Sequence, residues 1–307
     1  MAMAGNPELA AAVSNAGALG VLGSNSGWAP EERREENFRK GIRRIKEMTD
    51  KPFGVNVPIY AMKELATRFV DIALEEKVKV IVCSGGSPFL FTQRIKEAGA
   101  RSIHLVYNVK QAKNAELAGV DIVIAEGYEA GGVNSPDELT TFVLIPYIVD
   151  SVKIPVVAAG GVCDARGFVA ALALGAEGVQ MGSRFIATEE CHVHRNYKEA
   201  ILLAGDTDTV ITRRVLGLRV RSLKNDLISC LGEMDRRGAA EEVKGFLGPG
   251  RAREGQILGD SKNGDMSIGQ VAGMIKEILT AAEVIKSVID GTDIVVNKCL
   301  ELHGAGD

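Results

Sequence analysis

Two glycine turns carry the plainest chemistry in this chain. Gly160 and Gly161 lie in AAGGV, and Gly182 and Ser183 lie in QMGSRF, each at the end of an apolar run. A turn without a β-carbon lets backbone N–H groups come close to an anion. Two such turns at the ends of neighbouring strands make the phosphate grip that parallel barrels use. The turns alone do not name the phosphate compound.

Other small or polar residues end apolar runs in the same way: Asn56, the SGGS run at 84–87, Asn108, Glu126 with Gly127, and the AGG run at 130–132. This set holds one carboxylate, Glu126, and no lysine. Lyases and isomerases that work on sugar phosphates without a redox cofactor use a strand-end Lys or paired carboxylates. A flavin-free enzyme of that kind stays only as an alternative. The histidines offer little more. His104 lies in the strand-like run SIHLVYNV, which suits a hydrogen-bonded core position. His192 and His194 form an HxH pair accompanied by Cys191, Glu189 and Glu190, which falls short of a metal-ligand pattern. No metal is expected.

The elements that must hold these turns alternate along the first two-thirds of the chain. Apolar, β-branched runs predict strands over 18–23, 52–58, 78–86, 102–109, 121–127, 155–162 and 178–185. Amphipathic or charged runs between them predict helices, the first over 7–17 with Pro7 in its first turn and Gly17 at its end. Continuous apolar strands suit a parallel sheet buried on both faces. Strand, helix, strand in regular order predicts an α/β fold, the (β/α)₈ or TIM barrel. Seven strands fall one short of the closed barrel. The first strand therefore reads as truncated, and the natural protein is expected to be longer at its N-terminus. Beyond the last strand the alternation stops, so residues 1–190 read as the barrel and 191–307 as a helical C-terminal part packed on it.

Composition sets wider limits. The chain has 307 residues, 46% of them hydrophobic, 25% charged and 35 of them glycine, which suits a globular core with many tight turns. A formal charge of −4 gives no bulk attraction to nucleic acid or anionic membrane. No apolar run approaches the ~18 residues of a membrane span. Five cysteines form no CxxC pair and read as reduced thiols in a cytoplasmic protein.

Six motifs in order complete the pattern: GVNVP (54–58), AEGYEAGG (125–132), IPVVAAGGV (154–162), GAEGVQMGSRF (175–185), NYKEAIL (196–202) and GQVAG (269–273). Together they resemble the FMN-dependent family of nitronate monooxygenases (2-nitropropane dioxygenases) and enoyl-acyl-carrier-protein reductase II. The resemblance runs from Met1 to about Gly273 and implies a TIM barrel that holds FMN without a covalent bond. It places Met1, Ala2, Asn56, Gly160, Gly161, Gly182, Ser183 and Gln270 around that cofactor. It implies NADH or NADPH as the electron source and a small molecule or acyl thioester as the acceptor. An acyl carrier protein and a second copy of the chain are the partners it allows.

One position departs from the family. Relatives carry a His directly after Glu-Ala-Gly-Gly, where this chain has Val133 followed by Asn134. A His can take a proton from a nitroalkane; Val cannot, and Asn does not accept one near neutral pH. Nitronate or nitroalkane oxidation is thereby weakened, while hydride transfer through a flavin needs no protein base. The segment 194–225, with Arg213, Arg214, Arg219, Arg221 and Lys224, looks most like the reductase branch. It reads either as a dock for phosphates or as a solvated basic stretch. The catalytic residue is not assigned.

Overall fold

The structure is a computed structural model that describes residues 1, 3–62 and 64–304. Its ten strands are β1 (Gly20–Leu22), β2 (Phe53–Pro58), β3 (Val80–Ser84), β4 (Arg101–Val106), β5 (Ile122–Glu126), β6 (Gly132–Val133), β7 (Val156–Ala159), β8 (Gly178–Gln180), β9 (Thr209–Thr212) and β10 (Val220–Leu223). Seven of them form one parallel sheet in the order β1-β2-β3-β4-β5-β7-β8. The order follows the chain, so each crossover helix returns the backbone to the next place in a curling TIM-barrel wall.

The strands are apolar on both faces because both are covered. On β2, Val55 and Val57 pack outward with Phe38, Ile42 and Phe69 of the helix layer. On β3, β4 and β5, Val82, Ile103, Leu105 and Ile124 turn inward and fill the barrel with Ala159 of β7. The charged helix Arg34–Met48 earns its place through one stripe. Phe38, Ile42 and Ile45 recur at helical spacing and are buried, and Phe38 stacks on Phe69 with ring centroids 4.4 Å apart.

β1 and β8 end the sheet, and among the described residues they do not pair with each other. The first residues cross the gap between them. Gly23, just beyond β1, donates its N–H to the Gly5 carbonyl at 2.7 Å. The Asn6 side chain donates to the Glu190 carbonyl at 2.9 Å and accepts from the His192 N–H at 3.1 Å, beyond β8.

Element ends differ from the sequence reading where turns intervene. The last barrel strand stops at Gln180, and Ser183–Ile186 is already helical. The helix between β5 and β7 is Thr141–Val149 and begins late, because Pro136 and a left-handed Glu138 (φ 55°) hold the residues before it in a loop. Beyond residue 190 the chain carries helices and also β9 and β10. These form an antiparallel sheet in the order β6-β10-β9, with Val133 opposite Val220. The last helix, Ala281–Gly304, packs on the helix Ala165–Ala173. Gly291 allows the approach, since a β-carbon there would lie 2.7 Å from that of Ala165.

Candidate active site

In a parallel barrel all the strands end at one mouth, where βα loops carry the chemistry. Alternation along β2 sends Val55 and Val57 outward and leaves Asn56 facing the interior. Its Nδ2 donates to the Val82 carbonyl and to Ser84 Oγ, both at 3.1 Å. Those bonds fix the amide, and among the described residues no donor takes its Oδ1.

The two glycine turns follow β7 and β8. Gly160 and Gly161 have φ of +90° and +74°, a region that side chains rarely adopt. A β-carbon on Gly160 would lie 2.9 Å from the Gly127 carbonyl oxygen, so that turn is pressed against the end of β5. Gly161 is less crowded: a β-carbon there would make ordinary contact, 3.7 Å from a Glu129 carboxylate oxygen and from the Thr141 hydroxyl. Among the described residues no protein acceptor takes the N–H of Gly160, Gly161, Gly182 or Ser183. Buried or half-buried amides rarely stay unpaired, and an anion or water is the usual partner.

A loop from the C-terminal part closes onto these turns. The Gly269 N–H donates to Ser183 Oγ at 2.9 Å, which leaves the hydroxyl hydrogen for another acceptor. The Gln270 N–H donates to the Glu129 carbonyl at 2.9 Å. Gly131 and Gly269 pack so closely that a β-carbon on Gly131 would lie 2.6 Å from the Gly269 nitrogen. The Glu129 carboxylate accepts the Thr141 N–H at 2.9 Å and lies 2.9 Å from the Thr141 hydroxyl. That hydroxyl is also 3.1 Å from the Gly160 carbonyl, so Thr141 ties the loop after β5 to the turn after β7.

Asp265 holds the closing loop from behind. It is buried, pairs with Arg213, and accepts from Ser222 Oγ at 2.5 Å and Ser267 Oγ at 3.2 Å. The other arginines of the basic stretch are also engaged. Arg221 is buried and donates to the Tyr128 carbonyl at 3.0 Å. Arg214 donates to the Tyr128 hydroxyl at 2.7 Å and pairs with Glu138, which also faces Arg219. Arg214, Arg219 and Arg221 brace the loop after β5, and Arg213 holds the closing loop through Asp265.

Glu126 ends β5 at the mouth, opposite Ala159 in the register of β7. Solvent reaches part of the residue, yet the protein around its carboxyl dominates. Burial pushes its pKa up to about 7, against the pull of the Met1 amino group. Tyr107, on the neighbouring strand, is held above the usual phenol range by burial and then by Glu126. His104 is buried between β4 and the helices, hydrogen-bonded to the Gly86 backbone, and burial lowers its pKa to about 4. His194 Nδ1 accepts the Asn196 N–H at 3.1 Å and caps the helix Arg195–Leu203. Both histidines thus have structural partners.

The structure brings most of the expected residues together. Gly160, Gly161, Gly182, Ser183 and the Gln270 backbone belong to one connected set of loops. The Met1 side chain lies beside Gly182, with its sulfur 3.5 Å from where a β-carbon would sit. Ala2 lies outside the described residues. Asn56 stands on β2 with its own bonds to β3, and the Gln270 side chain is exposed. Sequence reasoning missed Asp265, which acts through partners far away in the chain. The AGG run at 130–132 was read as a strand end, without the backbone contact that Gly131 makes with Gly269. Val133 is 58% exposed beside this loop, and its isopropyl group offers no proton acceptor.

This donor set suits a phosphate dianion: unclaimed amides on two adjacent turns and a serine hydroxyl. The model of a family described as nitronate monooxygenase matches residues 1–69 and 58–291. A probable nitronate monooxygenase from Staphylococcus saprophyticus is 30% identical, covering 97% of this chain and 94% of that protein. The (3aS,4S,5R,7aS)-5-hydroxy-7a-methyl-1-oxo-octahydro-1H-indene-4-carboxyl-CoA dehydrogenase of Rhodococcus jostii is 32% identical, covering 94% of this chain and 90% of that protein. The structure of FabK from Thermotoga maritima superposes with a TM-score of 0.91 at 40% identity, over 98% of this chain and 93% of that one.

Proposed function

The chain belongs to the nitronate monooxygenase family, an oxidoreductase family that uses a flavin, and we propose that it binds FMN and passes electrons from NADH or NADPH to an enoyl thioester. The observation that carries this reading is the pair of glycine turns with unclaimed amides. A monophosphate tail needs several convergent donors and no bulky side chain, which is what Gly160, Gly161, Gly182 and Ser183 offer. When bound, FMN supplies two-electron transfer between a nicotinamide and an electron-poor acceptor.

The chain's own residues have narrower tasks. The amides and the Ser183 hydroxyl hold the phosphate. Asn56 Oδ1 presents an acceptor to a ring N–H. The loop 268–270, pressed on Gly131, shields that side of the mouth from water. Glu126, with its pKa near neutrality, can hold a proton on its carboxyl and release it. A thioester acceptor is favoured over a nitronate for two reasons. Val133 takes no proton, and a full-length relative is named as acting on a CoA compound.

Purified protein tests this directly. It is expected to be yellow, to release FMN on denaturation, and to bleach under NADH or NADPH without oxygen. Rapid reoxidation by crotonyl-CoA, and slow reoxidation by a nitronate, is the expected ranking. A colourless protein that no added FMN colours would overturn the cofactor, and a reversed ranking would overturn the acceptor.

A further inference from the structure

A second cavity lies outside the glycine turns, between the β9–β10 ribbon and the helix Asp226–Arg236. It measures about 450 Å³, and Arg214, Lys224, Ser229 and Arg236 line its polar side. Val210 and Ile228 supply apolar wall. The one carboxylate among its lining residues, Asp235, is already satisfied. It accepts the Arg214 N–H at 3.2 Å and the Val215 N–H at 3.3 Å.

The cations differ in their engagement. Arg214 is paired with Glu138 and bonded to Tyr128. Lys224 Nζ has no partner among the described residues, and Arg236 bonds only the Gly232 carbonyl, at 3.3 Å. Two cations without counterions therefore share a cavity in a chain whose formal charge is −4. Both are exposed, so an arriving phosphate can meet them without displacing a protein carboxylate. The cavity adjoins the loop after β5. Arg214 forms part of its wall and holds the hydroxyl of Tyr128, two residues beyond Glu126.

We propose that this cavity docks the phosphate-bearing tail of a substrate whose reactive end enters the barrel mouth. Phosphate is the shared chemistry, carried either by the nicotinamide dinucleotide or by the CoA or phosphopantetheine arm of a thioester. Lys224 and Arg236 supply charge, Arg214 a planar donor edge, and Val210 with Ile228 a surface for an adenine or pantetheine chain. The proposal rests on the oxidoreductase reading for the identity of the two substrates, though the site itself is defined by its own residues.

Charge reversal at Lys224→Glu with Arg236→Glu is the test. Binding of NADPH and of CoA is measured by calorimetry, and KM is measured for NADPH, crotonyl-CoA and crotonyl-N-acetylcysteamine, which lacks phosphate. FMN content per chain is recorded separately, so loss of the cofactor reading shows there and not in the calorimetry. A rise of about tenfold or more in Kd and KM for NADPH alone assigns the donor's tail. The same rise for CoA compounds alone assigns the carrier's tail. In both cases the N-acetylcysteamine thioester keeps its KM, and Lys224→Arg retains binding. Because the double variant could fail to fold, the salt dependence of wild-type binding gives a second reading: affinity for the docked compound falls with ionic strength. Values within twofold for both phosphate compounds in the folded variant, or wild-type binding insensitive to salt, overturn the proposal.

Discussion

Gly131 and Gly269 meet backbone to backbone, so that a β-carbon on Gly131 would lie 2.6 Å from the Gly269 nitrogen. The contact fastens the closing loop to the loop after β5, and it places Ser183 within reach of the Gly269 N–H. Gly131 has no unusual φ, so only space forbids a side chain there. Its neighbour Gly132 is the reverse case, with φ of +81° and nothing within 4 Å of an added carbon. Gly131→Ala is expected to cost about 1–3 kcal/mol by overpacking and to lower FMN retention. Gly132→Ala is expected to cost about 1–2 kcal/mol by backbone strain alone and to leave retention nearly intact. Urea melts and the flavin absorbance of the purified variants check both. Equal flavin loss in the two would refute the steric account.

Val133 sits opposite Val220 in the short antiparallel sheet, 58% exposed. An imidazole there meets no packed core. Val133→His is expected to raise oxidation of neutral nitroalkanes by at least about tenfold, since a placed base contributes on the order of 10²–10⁴. The gain appears as pH rises through about 6.5, where imidazole loses its proton. Thioester reduction is expected to stay within about threefold, because it needs no base at this position. Steady-state rates on nitroethane across pH decide it, and an unchanged nitroalkane rate counts against the role assigned to this position.

Asp265 is buried with Arg213 as its ionic partner and with two serine hydroxyls on its other oxygen. Asp265→Asn leaves the half-buried guanidinium without its counterion. Breaking one side of such a pair costs about 3–5 kcal/mol. The same change loosens Ser267, two residues before Gly269, so FMN affinity is expected to fall along with stability. Chemical denaturation and FMN titration of the apoprotein measure the two. A variant as stable as the wild type would show that the pair contributes little.

The barrel strands were legible because burial on both faces writes itself locally: VKVIVCS and SIHLV are apolar at nearly every position, whichever way a side chain points. The ribbon was not. TVIT and VRSL are short, and their pairing with each other and with Gly132–Val133 is a long-range event that no local period records. The glycine turns were legible because a missing side chain is visible in sequence. The closing loop was visible only as a motif, since what brings it to the mouth is a bond from Gly269 to Ser183. The arginines of 213–221 stayed open between a phosphate dock and a solvated stretch because their partners, Asp265, Glu138 and the Tyr128 carbonyl, are distant in the chain.

Glu126 gives a prediction with a definite sign. Its pKa is raised from 4.5 to about 7 by burial, so the folded chain holds that proton more tightly than the unfolded chain. Below 4.5 both states are protonated and the group has no effect. Between there and about 7 the unfolded state gives up its proton first, and stability falls as pH rises. Above about 7 the buried charge costs the folded flavin-free protein on the order of 3 kcal/mol. Glu126→Gln removes this slope: the variant is expected to match the wild type at pH 4 and to exceed it at pH 8. In the loaded enzyme the wild-type rate of thioester reduction is expected to fall as pH rises through about 7, if the carboxyl supplies the proton, while the Gln variant is slower and lacks that inflection. Urea denaturation at the two pH values and a pH–rate profile test the pair of claims separately. His104, lowered to about 4 by burial, adds a slope of opposite sign to both proteins, so the difference between them is the readout. Wild-type and Gln-variant stability curves that run parallel from pH 4 to 8 would place the carboxyl in water and remove it from the reaction.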